Sequence, residues 1–549
     1  MSAARTFARS RWMILSVLLM AGLGARRGRA APEPAKSAPA PAPAPAPASA
    51  DSQSAPAAPL KSPPPFRWAG NPPRTVFLPS ASNPLVAIRV LFRTGSVDDP
   101  KGKEGLATLT AEMIGKGGSR ARSYAELLDA LYPLAANIRV YGDKESVVFE
   151  GMVHRDNAEK FAELLAEQIL NPRFAEDDFT RNRQDAVDYL TKTLRGNDDE
   201  NLGKQAMASV LYAGHPYGYP SQGTVAGLQA ITLPDVKLFY ETHYTRDRLV
   251  VGVGGGYPAG FADAFTRRFS ALGQRGVAQP RLPPPPRRDA DEILIVEKDA
   301  RANAISIGRA LPITRASTDF YPLTVARSYL GEHRTFNGVL MNHLRSARGL
   351  NYGDYAYVEN FIQDGWSTFP LPNIPRRQQH FEIWLRPVPP QNALFALRAA
   401  LYETDKLIRE GIPEAGFQAT RTFLMNYADL WIQDISRRLG YAMDAQVTGK
   451  DLIKELHDRL PRMKKADVDR VIRKYLAIDK LSIAIVSDKG AEVRQKLVDA
   501  VATPITYDTA GTPPEILQED KVIEKFALPV APDKVRVVPV DQMFERASQ

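Results

Sequence analysis

The chain holds 549 residues, of which 44% are hydrophobic, 24% charged and none cysteine. That length exceeds one hydrophobic core, and the composition excludes a wholly disordered chain. The lack of cysteine excludes disulfide frameworks, thiolate metal sites and thiol nucleophiles. The net charge of +9 is not a nucleic-acid signature, because six arginines and no acid lie within residues 1–30, which leaves +3 for the remainder.

In chain order, residues 1–30 read as a secretory signal. Arg5, Arg9 and Arg11 form a basic start. Trp12 to Gly24 is an apolar run of 13 residues, too short to span a bilayer, and Gly28-Arg29-Ala30 ends it with small residues. A cleaved signal implies a periplasmic or secreted protein; an uncleaved one leaves a membrane tether. Residues 31–65 are mostly Ala, Pro and Ser, an extended spacer that buries no core. A first folded unit is expected over 66–281, a Pro-rich linker over 282–292, a second unit over 293–505, and a surface-wrapping tail over 506–549.

The two units repeat each other. The first opens with strand-like runs at 75–78 and 85–92, the second at 293–296 and 304–308. Helical patterns follow at 104–116 and at 318–347. Each unit then has a helix around a proline and a phenylalanine, Pro172 to Arg183 and Pro413 to Arg421. Each closes with a helix and a strand, Asp235 to Val253 and Asp467 to Val486. The expected fold is therefore α+β: two homologous domains, each a mostly antiparallel sheet with helices on one face.

These residues carry a resemblance. The first unit has Gly95-Ser-Val-Asp-Asp-Pro100, Glu104-Gly-Leu-Ala107, Asn171-Pro172, His215-Pro-Tyr-Gly218, Gly223-Thr224 and His243-Tyr244. The second has Leu344-Arg345 followed by Gly349-Leu350 and Tyr352. In order and spacing they resemble the insulinase/pitrilysin (inverzincin) zinc metallopeptidases over about 75–500. The resemblance implies metallopeptidase-like domains and a catalytic helix with His-x-x-Glu-His, whose i and i+4 imidazoles share one face and bind one zinc while the Glu acts as general base. Here those positions are Thr108, Ala111 and Glu112. The family's third ligand, a Glu, falls on Tyr189, beside Asp188. A set without imidazole or base is not expected to hold a catalytic zinc or to activate water, so no catalytic residue and no metal or other cofactor is assigned to this chain.

The family's facing domain supplies an Arg and a Tyr seven residues apart, which hold substrate carbonyls. Arg345 and Tyr352 keep that spacing. The resemblance thus implies a non-catalytic subunit that binds unfolded peptide and lends Arg345 and Tyr352 to a zinc-containing partner of the same family, the only place where zinc is expected. The alternative is a non-enzymatic peptide-binding or scaffold protein of the cell envelope.

The other candidates read as structural. His215 sits in a turn, and His333 and His343 read as helix-surface residues. Gly252 to Gly256 lacks the last glycine of a dinucleotide fingerprint. Asp98-Asp99 and Asp198 to Glu200 read as loop residues or helix caps. Arg287-Arg288 and Arg376-Arg377 read as solvated pairs, and no aromatic interleaving points to nucleic acid.

Overall fold

A computed structural model describes residues 73–547, except 336, 364–366, 375, 509 and 529. The signal and spacer read at 1–65 lie outside the described residues.

The β-branched runs form strands as the alternation requires. The first sheet uses β1 (Arg74–Pro79), β2 (Leu85–Phe92), β3 (Arg139–Gly142), β4 (Val147–His154) and β5 (Leu249–Gly255), in the order β1-β5-β2-β4-β3. The β1/β5 pair is parallel and the others are antiparallel. The second sheet uses β6 (Glu292–Glu297), β7 (Asn303–Leu311), β8 (Gly353–Tyr357), β9 (Gln379–Val388), β10 (Ser482–Ser487) and β11 (Val535–Pro539), in the order β11-β6-β10-β7-β9-β8. Here β11, β6 and β10 run parallel, and β7, β9 and β8 continue antiparallel.

Nine helices carry the argument: α1 (Leu106–Gly115), α2 (Ala158–Leu170), α3 (Glu176–Asp188), α4 (Asp199–Leu211), α5 (Phe320–Gly331), α6 (Ala393–Glu410), α7 (Glu414–Trp431), α8 (Ile435–Thr448) and α9 (Pro514–Ile523). One face of the first sheet (Val86, Ile88, Val90, Phe92) packs on α1 and α2 through Leu109, Met113, Phe161 and Leu165. The matching face of the second sheet (Ile293, Ile295, Ile305, Ile307, Ile483, Ile485) packs on α5 and α6 through Leu323, Ala326, Leu397 and Leu401.

Each sheet thus carries its own helices on one face, as expected, and each half also covers the other half's second face. From the second half, α8 sets Ile435, Leu439 and Met443 against Ala87, Leu91, Val148 and Val250 of the first sheet. From the first half, α4 sets Leu202, Ala206, Met207 and Val210 into one cluster with Leu294, Val296, Ala304, Ala484 and Val486 of the second sheet. Small strand residues admit both helices: a β-carbon at Gly252 would collide with Met443, and one at Gly308 with Met207. The caps are local. Asp198 accepts from Asn201 N at the start of α4, Asp434 from Arg437 N at the start of α8, and Gly449 ends α8 with φ 74°.

The long helical pattern at 318–347 is corrected. It stops at Gly331, and a separate π-turn spans Met341–Ser346. Beyond 505 the chain does more than wrap the surface. It adds α9 and the edge strand β11, then returns to the first half, where Val225 N and Ala226 N donate to Phe544 O and Glu545 O, both at 3.0 Å. The described residues fall in one compact unit.

Candidate functional site

Helix α1 starts from a left-handed Gly105 (φ 110°), where a β-carbon would strike the Gln222 carbonyl. Asp99 caps it from a distance, accepting from Gly105 N at 2.8 Å and Ala107 N at 2.7 Å. Burial drives the Asp99 carboxyl up to about 7, against those two bonds. The helix thus has the setting that the motif needs and lacks the side chains. Thr108 donates its hydroxyl to Ser221 O at 2.5 Å. Ala111 is buried in the core. Glu112 pairs with Lys116 at 2.5 Å; its carboxyl is raised by burial, against the pull of Lys116. Tyr189 opens the π-turn Tyr189–Leu194 and is half-buried. Asp188 is held by Lys192 at 2.6 Å and Gln184 at 2.9 Å, bonds that keep its carboxyl below the usual range. Among the described residues no three imidazole or carboxylate side chains converge beside α1. The residues present do not fit a zinc ion: both carboxylates, Glu112 and Asp188, are already paired with lysines, and the Thr108 hydroxyl is spent on a backbone carbonyl.

Beside Tyr189 lies a cavity of about 190 Å³ between the halves. The first half lines it with Gly142, Lys144, Lys204 and Tyr217, the second with Arg376, Glu382 and Trp384. Burial lowers Lys144 to about 7 and Lys204 to about 8. Lys204 stands 3.2 Å from the centre of the Trp384 ring and pairs with Glu200 at 2.5 Å. Arg376, read from sequence as solvated, is half-buried and grips both oxygens of Asp143 at 2.6 and 2.7 Å. Arg377 takes Glu145 at 2.5 Å. These ion pairs fasten the segment before β9 across the β3–β4 turn.

Arg345 and Tyr352 meet elsewhere. Arg345 sits in the π-turn at 341–346. Gly349 (φ 65°) reverses the chain after it, with Gly349 N on Arg345 O at 2.8 Å. The guanidinium then lies over the Tyr352 ring, 4.6 Å from its centre, and Tyr352 is 56% exposed. Neither residue lines the cavity beside Tyr189. The two side chains are therefore in contact, with Tyr352 exposed and Arg345 half-buried.

One histidine, His333, differs from its sequence reading as a helix-surface residue, while His343 stays partly exposed on a helical turn. His333 is fully buried, with Nδ1 2.7 Å from the Tyr357 hydroxyl, and burial lowers it to about 3. His343 is bound at 2.6 Å to Glu403. His215 is structural as expected, accepting from Tyr217 N at 3.0 Å. Asp99 and Asp198 are caps as expected. The buried Lys144 and Lys204 were missed; nothing in a lysine's sequence neighbours says which fold element will close over it.

Comparison with known proteins gives these features a family. Residues 75–224 match the profile "Insulinase (Peptidase family M16)", and 230–424 match "Peptidase M16 inactive domain". A protein named uncharacterized zinc protease in Mycobacterium bovis is 22% identical over 429 residues, covering 76% of this chain and 91% of its own. A Helicobacter pylori protein named a non-peptidase homolog is 22% identical over 416 residues, covering 74% and 90%. The solved peptidase M16 inactive domain of Pseudomonas fluorescens superposes with a TM-score of 0.66 at 21% identity, covering 76% of this chain and 97% of that one. A chain of complex III from Candida albicans superposes with a TM-score of 0.58 at 12% identity, covering 75% and 93%. Two successive family profiles, in family order over the two sheets, show that the chain belongs to the insulinase family of peptidases, M16.

Proposed function

We propose that this chain is a non-catalytic, peptide-binding subunit of an insulinase-family zinc peptidase in the bacterial periplasm. Its partner supplies the zinc site; this chain supplies Arg345 and Tyr352. The observation that carries the reading is the contrast between two places in one molecule. Helix α1 lacks both imidazoles and the base, while Arg345 is stacked on the exposed ring of Tyr352. A fixed cation and a phenol are donors suited to a peptide carbonyl that gains negative charge. Strand β3 ends its sheet with β4 as its only strand partner among the described residues, so an unfolded peptide can add there by main-chain hydrogen bonds with little sequence selectivity. The signal read at 1–30 supports the periplasm and, if retained, a membrane tether.

The test is co-expression with an insulinase-family subunit that carries His-x-x-Glu-His, followed by a peptide hydrolysis assay on the purified complex. Arg345→Ala and Tyr352→Phe are each expected to lower kcat by about 10²- to 10³-fold, the scale of a lost oxyanion donor, with the complex still assembled. An unchanged rate in an intact complex refutes the donor role. Failure to assemble with any such subunit leaves the envelope scaffold as the better reading.

A further inference from the structure

The second half holds a ligand set that peptide binding does not use. His343 lies in the π-turn at 341–346, Glu403 on α6 and Glu519 on α9. Their ligand atoms lie within 4.8 Å of one another, the one such trio of imidazole and carboxylate side chains among the described residues. His343 Nδ1 is 2.6 Å from Glu403 Oε1. The Glu403 carboxylate is only 2% exposed, and among the described residues this imidazole is its one hydrogen-bond partner. A carboxylate withdrawn from water needs a positive charge beside it.

Apart from the imidazole itself, no lysine or arginine among the described residues pairs with the Glu403 carboxylate. Arg348 donates to Glu519 Oε2 and Asp520 Oδ1, both at 2.7 Å, and Lys406 stands 3.8 Å from Glu519 Oε1. Three carboxylates against these two cations leave one negative charge over, and Glu403 is the acid that neither cation pairs with. The surroundings are also built to hold the trio in place. Arg348 donates to the His343 carbonyl at 2.8 Å while it grips Glu519, so one guanidinium fixes the turn and α9 together. Asp520 is fixed in turn by the Tyr507 hydroxyl at 2.6 Å. Arg348 takes Oε2 of Glu519, and Oε1 is left to Lys406, whose side chain is 37% exposed and can swing out. Such outer bonds are what orient metal ligands.

One imidazole and two carboxylates suit a divalent first-row cation; magnesium and calcium prefer oxygen alone. We propose that His343, Glu403 and Glu519 form a structural site for a zinc-like divalent cation, which ties α9 and α6 to the turn that carries Arg345. The site stands apart from α1 and does not depend on the peptide-binding reading. A cation that binds only the folded chain raises its stability in proportion to the logarithm of its concentration over Kd.

The experiment uses the full chain, stripped with a chelator and dialysed, then titrated with Zn²⁺ alone at neutral pH by calorimetry and followed by thermal unfolding. One equivalent of Zn²⁺ and a raised Tm are expected. His343→Ala and Glu403→Gln are each expected to weaken binding by at least about tenfold, the scale that outer-shell changes already reach. His457→Ala, which removes an imidazole paired with Asp429 on another surface, is expected to leave binding unchanged. Should Glu403→Gln fail to fold, Glu519→Gln tests the same site from the surface. Absence of saturable binding, or an affinity indifferent to both His343→Ala and the glutamate variant, overturns the proposal and leaves a protonated imidazole as the counter-charge of Glu403.

Discussion

His333 shows how much a single buried group can govern. Its ring packs against Tyr355 and Phe361, with Lys204, Arg327, Arg334 and Arg386 all opposing a charge on it. Burial is the larger cause, and together they lower the imidazole from 6.5 to about 3. Above pH 6.5 the folded and unfolded chains both hold it neutral, so it exerts no pH effect there. Between 6.5 and about 3 the unfolded chain takes up a proton that the folded chain refuses, and folding stability falls by up to about 1.4 kcal/mol per pH unit. His333→Gln is expected to be less stable than the natural chain at pH 7. That gap should narrow by about 3 kcal/mol as the pH drops to 4, because the variant has no such proton to gain. Urea unfolding at several pH values measures this, and a gap that does not change with pH would show that the ring is protonated in the folded state.

At the scale of elements, the exchange of α4 and α8 is the feature that sets the packing, and it rests on two glycines. Gly308 leaves room for Met207, as Gly252 does for Met443. Gly308→Ala is expected to cost about 1–3 kcal/mol by overpacking. Met207→Ala alone leaves a cavity and costs about 2–5 kcal/mol. The double variant should cost less than the two added, since the new methyl fills part of the space that the methionine vacates. Strict additivity in denaturant unfolding would mean that the helix does not sit on the strand. Neither contact could be read from the chain. Strands were legible because β-branched runs alternate, and α1 because Gly105-Leu-Ala precedes a periodic stretch ending at Gly115. The stretch at 318–347 misled because apolar residues continue past Gly331 while the chain turns away at Glu332. The empty motif at Thr108, Ala111 and Glu112 was legible residue by residue. So was the Arg345/Tyr352 spacing, but not the stacking of the pair, which depends on the turn at Gly349. The His343–Glu403–Glu519 trio was illegible because its members come from three elements more than 50 residues apart in sequence.

For the whole molecule, the exchanged helices mean that neither half is a complete folding unit. Without α8 the first sheet would expose Ala87, Leu91, Val148 and Val250, and without α4 the second would expose Leu294, Val296, Ala484 and Val486. Exposed apolar sheet faces of that kind drive association or aggregation. An ion pair and two hydrogen bonds add to the join: Arg376 with Asp143, and the Arg89 guanidinium, which donates to Asn373 Oδ1 at 2.9 Å and to the Ser436 carbonyl at 3.1 Å. The returning chain end adds a third fastening, with the Arg195 guanidinium on the Met543 carbonyl at 2.7 Å. By contrast the linker expected over 282–292 holds no regular element before β6 begins at Glu292, and its residues 282–290 are all half-buried or exposed. A protease site placed at Pro285 is therefore expected to yield two fragments that elute as one species of the parent size and separate only in denaturant. The intact chain should unfold in a single transition, since losing either half strips a helix from the other. Each half expressed alone is expected to be insoluble, and mixing the halves during refolding should restore the nicked species. Fragments that part in buffer after cleavage, or halves that fold separately, would show that the linker rather than the exchange of helices holds this molecule together.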